Sequence, residues 1–138
     1  MTLKNIHNKK EKTKLRILVA DDDQNFSYVL KKELEEKSYI VDVANNGVDA
    51  ILNFLQKEYG FILLDLKMPR LNGMDTLKII GALKRAGITN SGVQVITLSG
   101  GSDEKRQKEL LHAGAVKHIK KPFSIEALTK HIQNIQKH

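Results

Sequence analysis

The stretch Phe61-Ile-Leu-Leu-Asp-Leu-Lys-Met-Pro-Arg-Leu-Asn-Gly73 runs four large apolar residues into a carboxylate, then into a segment punctuated by proline and glycine. An apolar run this short suits a strand covered on both faces, as in a parallel sheet. Asp65 then stands at the carboxyl end of that strand, partly buried, where an ionised group needs a partner. Pro69 and Gly73 are turn residues that shape the loop after it.

Working outward, similar apolar runs at residues 15–20, 39–44, 93–98 and 116–119 join 61–64 to predict five strands. Helical stripes alternate with them: Phe26, Val29, Leu30 and Leu34; Val48, Ile51, Leu52 and Leu55; Leu77, Ile80 and Leu83; and Ile125, Leu128, Ile132 and Ile135. The fourth helix has only Leu110 and Leu111 as large aliphatics and is expected to be less firmly anchored. Ser102 and Ser124 are candidate N-caps, each followed by acidic residues, and Gly114 offers the left-handed residue that ends a helix. Five strand–helix units predict an α/β fold, a doubly wound five-stranded parallel sheet with five helices.

Composition narrows the function. The 138 residues fit one domain, and 41% apolar with 28% charged residues suits a folded soluble chain. With no cysteine there is neither a disulfide framework nor thiolate chemistry, which suits a cytoplasmic location. No apolar run is long enough to span a bilayer, so no membrane association is expected. The net charge is +7, but residues 1–14 hold five lysines against Glu11. That basic tail is expected to be flexible, with the folded domain at 15–138, and no nucleic-acid partner is expected.

In a doubly wound sheet, ligands bind beyond the carboxyl ends of the strands. The first strand ends in Asp21-Asp22-Asp23, the third in Asp65, the fourth in Ser99 and the fifth in Lys120-Lys121-Pro122. Crowded carboxylates raise one another's pKa unless compensated, and a hard divalent cation or a lysine ammonium compensates them. Asp23 alone reads more simply as a helix cap, and a lysine before proline as a loop. An acid pair, a further acid, a hydroxyl and a lysine at four separate strand ends are harder to assign to structure alone.

The stretches Ile17-Leu-Val-Ala-Asp-Asp-Asp-Gln24, Leu63 to Gly73, Val95-Ile-Thr-Leu-Ser-Gly100 and Gly114-Ala-Val-Lys-His-Ile-Lys-Lys-Pro-Phe123 resemble, in order and spacing, the signature blocks of two-component receiver domains. The resemblance covers residues 15–137 and implies a flavodoxin-like (βα)5 fold. It further implies that Asp65 is the phospho-acceptor and that Mg²⁺, with Mn²⁺ as an alternative ion, is the cofactor. Asp22 then ligates the metal directly, Asp21 through a water, and Asp65 and the Lys67 carbonyl complete the protein ligands. Lys121 pairs with the acceptor, Ser99 is the hydroxyl that follows the phosphoryl group, and Gly100 keeps the site open. His118 holds the switch position, more often aromatic, and is expected to turn inward when Ser99 moves; Pro122 shapes the loop after Lys121. The other histidines (His7, His112, His131 and His138) read as surface residues.

The implied partners are a histidine kinase or histidine phosphotransfer protein and a downstream protein. The expected reading surface is the fourth helix, fifth strand and fifth helix, with no attached output domain, in a monomer or weak dimer. The chain is expected not to be an enzyme beyond its own phosphorylation and dephosphorylation. Two rivals remain: a phosphorelay shuttle or phosphate sink with the same chemistry, and an aspartate-nucleophile phosphatase of the haloacid dehalogenase type, which Asp21-x-Asp23 matches formally.

Overall fold

The computed structural model describes residues 14–88, 92–101 and 103–137. Five strands, β1 (Arg16–Ala20), β2 (Ile40–Ala44), β3 (Phe61–Asp65), β4 (Gln94–Ser99) and β5 (Ala115–Lys120), alternate with five helices. These are α1 (Gln24–Glu36), α2 (Gly47–Gln56), α3 (Gly73–Arg85), α4 (Glu104–His112) and α5 (Ile125–Gln136). The strands form one parallel sheet in the order β2-β1-β3-β4-β5. The expected strands thus all form, with ends displaced by a residue or so. Asp65 and Ser99 lie within the ladders they were expected to follow.

Period-2 alternation assigns the two faces. Ile17, Val19, Phe61, Leu63, Ile96 and Leu98 join Leu30 and Leu34 of α1 and Leu128 and Ile132 of α5. Leu18, Ala20, Ile62, Leu64 and Val95 join Ala50 and Phe54 of α2, Leu77 and Ile80 of α3 and Leu110 of α4. A sheet covered on both sides has no polar face, which is why its central strands read as continuous apolar runs.

Each helix starts on a short polar side chain that accepts from a backbone N–H three residues on: Asp23, Asn46, Asn72, Asp103 and Ser124. Ser124 thus caps as expected. Ser102 lies outside the described residues, and the cap of α4 is Asp103. Gly114 follows α4 at φ 119° and donates its N–H to the Leu111 carbonyl, 3.1 Å.

Two expected stripes are corrected. Val29 is exposed, and in α2 Leu52 and Leu55 face outward while Gly47, Ala50 and Phe54 are buried. The reason is close approach: a Cβ on Gly47 would stand 2.2 Å from the Leu71 carbonyl oxygen and 2.4 Å from Thr76 Oγ1. Small residues, not the large aliphatics, let α2 seat against the start of α3. The weak anchoring of α4 is as expected, with Leu110 its one buried residue.

At the β2 edge, Asp42 accepts from the Tyr59 hydroxyl at 2.8 Å, Arg16 at 3.1 Å and Lys57 at 3.4 Å. Burial alone would raise the Asp42 pKa, but these three donors outweigh it and hold the carboxyl below its ordinary value. Burial, followed by the carboxylate beside it, pushes the Tyr59 phenol up.

Candidate functional site

The strand order reverses between β1 and β3, and the chain ends of those strands are where the acids gather. Asp21 follows β1 and is 1% exposed, while Asp65 closes β3 at 7%. Asp22 is exposed beside them. The three carboxylates each offer an oxygen, and these oxygens lie within 4.8 Å of one another. They floor a cavity of about 640 Å³ whose rim includes Lys67, Ser99, Gly100, Gly101, Arg106 and Lys121.

Local structure fixes each group. The Asp21 carbonyl accepts from the Ser27 hydroxyl at 3.2 Å, and its carboxylate accepts the backbone N–H of Asp23 through Oδ1 at 3.0 Å. Asp23 itself is spent on capping α1, at 3.1 Å from the Phe26 N–H. The Lys121 N–H donates to the Ser99 carbonyl at 2.7 Å, and the Lys121–Pro122 peptide is cis. Its ammonium donates to Asp21 Oδ2 at 2.7 Å and to Asp65 Oδ1 at 3.2 Å. It also sits 4.1 Å from the centroid of the Phe26 ring, which meets Phe123 edge-on at 6.0 Å.

The electrostatics follow from that crowding. Burial raises the Asp65 pKa, Asp21 raises it further, and Lys121 only partly offsets the two. Burial alone would depress Lys121, but its hydrogen bond to Asp21, the attraction of Asp21 and then Asp65 together hold the ammonium above the usual lysine range. Three hard carboxylate oxygens at this separation are a donor set of the kind that Mg²⁺ takes, with water completing the shell.

Beyond Asp65, the Gly73 N–H donates to the Leu66 carbonyl at 3.0 Å and Leu71 N–H to that of Pro69 at 2.7 Å. This tight loop holds Lys67 at the cavity rim. Gly73 lies so close to β3 that a Cβ would stand 2.4 Å from the Asp65 carbonyl oxygen.

On β4 and β5, the His118 ring bridges two hydroxyls, with Thr97 Oγ1 at 2.8 Å from Nδ1 and Ser99 Oγ at 3.0 Å from Nε2. Burial lowers its pKa. With Ser99 in this position the ring is held against β4 by both hydroxyls. Thr97 is paired directly with His118 in the β4–β5 ladder, so a hydroxyl there meets the ring.

The site residues expected from the strand ends therefore come together. Three groups escaped the sequence reading: Thr97, the Phe26 ring and Arg106. His112 is exposed and His131 half-buried, whereas His7 and His138 lie outside the described residues.

The family model of the response regulator receiver domain matches residues 17–133. The chain belongs to the response regulator receiver domains. This receiver is 32% identical over 118 residues to the response regulator ArlR of Staphylococcus saprophyticus, covering 86% of this chain and 50% of the relative. It is 34% identical over 109 residues to the transcriptional regulatory protein ResD of Bacillus subtilis, covering 79% and 42%. The receiver thus spans about half the length of the curated relatives it matches. Among solved structures, the receiver domain of the Francisella response regulator 1452 superposes with a TM-score of 0.78 at 32% identity, covering 89% of this chain and 97% of the other. A CheY-like receiver domain protein from Methanospirillum hungatei gives 0.80 at 25% identity, covering 88% and 93%. Among the described residues of this receiver, no helix is long and apolar enough to cross a membrane.

Proposed function

We propose that this receiver is a phosphoryl-accepting switch of a two-component system, with Asp65 as the acceptor. The observation that carries the reading is a buried, strand-end Asp65 on the floor of an open cavity, 3.2 Å from a lysine and ringed by two further carboxylates.

A histidine kinase or histidine phosphotransfer protein is the donor. An oxygen of ionised Asp65 attacks phosphorus in line, and the bond from phosphorus to the donor nitrogen breaks. The electron pair stays on that nitrogen, and a proton on the ring's other nitrogen lets the imidazole leave neutral. Asp22, Asp65, the Lys67 carbonyl and, through water, Asp21 would hold Mg²⁺ (or Mn²⁺), which would supply charge neutralisation for the phosphoryl oxygens. Both Asp21 oxygens are already engaged by Lys121 and the Asp23 N–H, which supports its indirect share.

Lys121 keeps Asp65 oriented before transfer and follows the phosphoryl oxygen after it. Gly100 lines the cavity beside open space, where a Cβ would meet nothing within 4 Å. Phosphorylation then draws the Ser99 hydroxyl from His118 Nε2 toward a phosphoryl oxygen, and His118 repositions against Thr97. One or two exchanged hydrogen bonds shift a two-state population by the few kcal/mol that a switch requires. The change is read by a protein partner on the face of α4, β5 and α5, where Leu111 and Val116 are exposed. The formal phosphatase motif draws no support, because Asp23 caps a helix.

Acetyl phosphate with Mg²⁺ should add one alkali-labile phosphoryl group, read by intact mass. Asp65→Asn should remove it, and full labelling of that variant would overturn the assignment.

A further inference from the structure

The acidic cavity is lined by three cationic side chains, and their commitments differ. Lys121 has both carboxylates and an aromatic face as partners. Lys67 is exposed. Arg106, in the first turn of α4, is half-buried at the rim, and among the described residues its guanidinium makes no ion pair. Its backbone N–H is held 2.8 Å from Asp103 Oδ1, so the cap fixes where this turn sits. Between Arg106 and Ser99 lie Gly100 and Gly101, where an added Cβ would meet nothing within 4 Å. No side chain of these two residues screens the guanidinium from the cavity.

Charge arithmetic says what such a cation is for. Transfer replaces the single charge of the Asp65 carboxylate by a phosphoryl group carrying about −1.5 to −2. The cavity therefore gains on the order of one negative charge, after Lys121 is already engaged. A planar guanidinium presents two parallel N–H donors to phosphoryl oxygens, a geometry that an ammonium lacks.

We propose that Arg106 is a second phosphoryl-binding residue, which closes on the phosphoryl oxygens from the α4 side once Asp65 is modified. It rests on the reading of Asp65 as acceptor and adds a direct tie between the modified group and the least anchored helix. Because α4 buries only Leu110, a pull on its first turn meets little resistance from packing. The helix moves toward the site as the guanidinium engages.

The test uses the full chain with Mg²⁺ and beryllofluoride, an anionic phosphoryl mimic, followed by NMR titration. Arg106→Ala should weaken apparent beryllofluoride affinity about tenfold, the size of one charge-assisted hydrogen bond at a half-exposed site. It should also flatten the salt dependence of binding and diminish the amide shifts at residues 104–107. Arg106→Lys should recover only part of the affinity. Lys105→Ala, which makes the same charge change one residue away on the exposed surface, should bind like the parent. Parent-like affinity in Arg106→Ala, or an equal loss in Lys105→Ala, overturns the assignment of Arg106 while leaving Asp65 as acceptor. A parent chain that binds no beryllofluoride overturns the acceptor reading and this one together.

Discussion

Gly73→Ala tests whether the close seating of α3 on β3 constrains the site. A methyl group there would stand 2.4 Å from the Asp65 carbonyl oxygen and 2.6 Å from the Leu66 Cα. Both are backbone atoms at the core end of a strand, so they cannot swing aside as a side-chain tip does. Restoring ordinary contact means displacing the first turn of α3 by about 1 Å. Overpacking of this kind costs about 1–3 kcal/mol, set against up to ~1 kcal/mol gained by replacing glycine in a helix. The net expectation is a loss of about 1–2 kcal/mol in urea unfolding. The displaced turn carries the loop that holds Lys67, so Mg²⁺ affinity should fall as well. Gly81→Ala on the same helix is the contrast. Its Cβ would meet the tip of the Arg85 side chain at 3.2 Å and the Ala113 carbonyl oxygen at 3.6 Å. The arginine can yield, so Gly81→Ala should gain about 0.5–1 kcal/mol. If both variants shift stability alike, or Gly73→Ala binds Mg²⁺ as the parent does, helix propensity alone governs and the packing argument is wrong.

Lys121→Met removes the cation shared by two buried carboxylates and should cost about 2–3 kcal/mol without metal at pH 8. The folded-state pKa of Asp65, already raised, rises further, so the penalty grows as pH rises through it; a loss in urea melts that stays constant from the acid limit of folding up to pH 8 would refute this. His118 is depressed by burial, so its contribution to stability is complete above the unfolded value of about 6.5 and is lost as pH falls through the folded one. His118→Phe should therefore show a shallower decline than the parent between about pH 7 and 5 in thermal melts, and an unchanged slope would show that the ring is not the titrating group. Ser99→Ala should still accept phosphate on Asp65, yet show a weakened hydrogen-exchange response around His118 and residues 103–113; an undiminished response would remove Ser99 from the switch.

The strands were legible because a sheet sandwiched between helices leaves them almost no polar positions, and Ile17–Ala20 or Phe61–Leu64 admit few other readings. The strand-end acids were legible for the same reason, each standing where an apolar run stops. Helix faces were less so. Leu52 and Leu55 mark a plausible stripe, but seating α2 against Leu71 and Thr76 selected Gly47, Ala50 and Phe54 instead. Thr97 lies inside an apolar run and looks like any β-former, and its use as a partner of His118 depends on the β4–β5 register. Arg106 was hidden in a charged helix, where spacing alone does not tell which cation faces the cavity.

Asp42 has a consequence for how the sheet assembles. It sits opposite Leu18 in the middle of an outer strand, with Arg16, Lys57 and Tyr59 converging on it. Sliding β2 by one residue would flip the carboxylate to the opposite side, among Val41's neighbours Leu30 and Leu34, and strand its three donors. An uncompensated charge there costs roughly 3–5 kcal/mol, more than an edge strand recovers from any off-by-one pairing. The cluster thus works as an indexing pin, favouring a single alignment of β2 on β1.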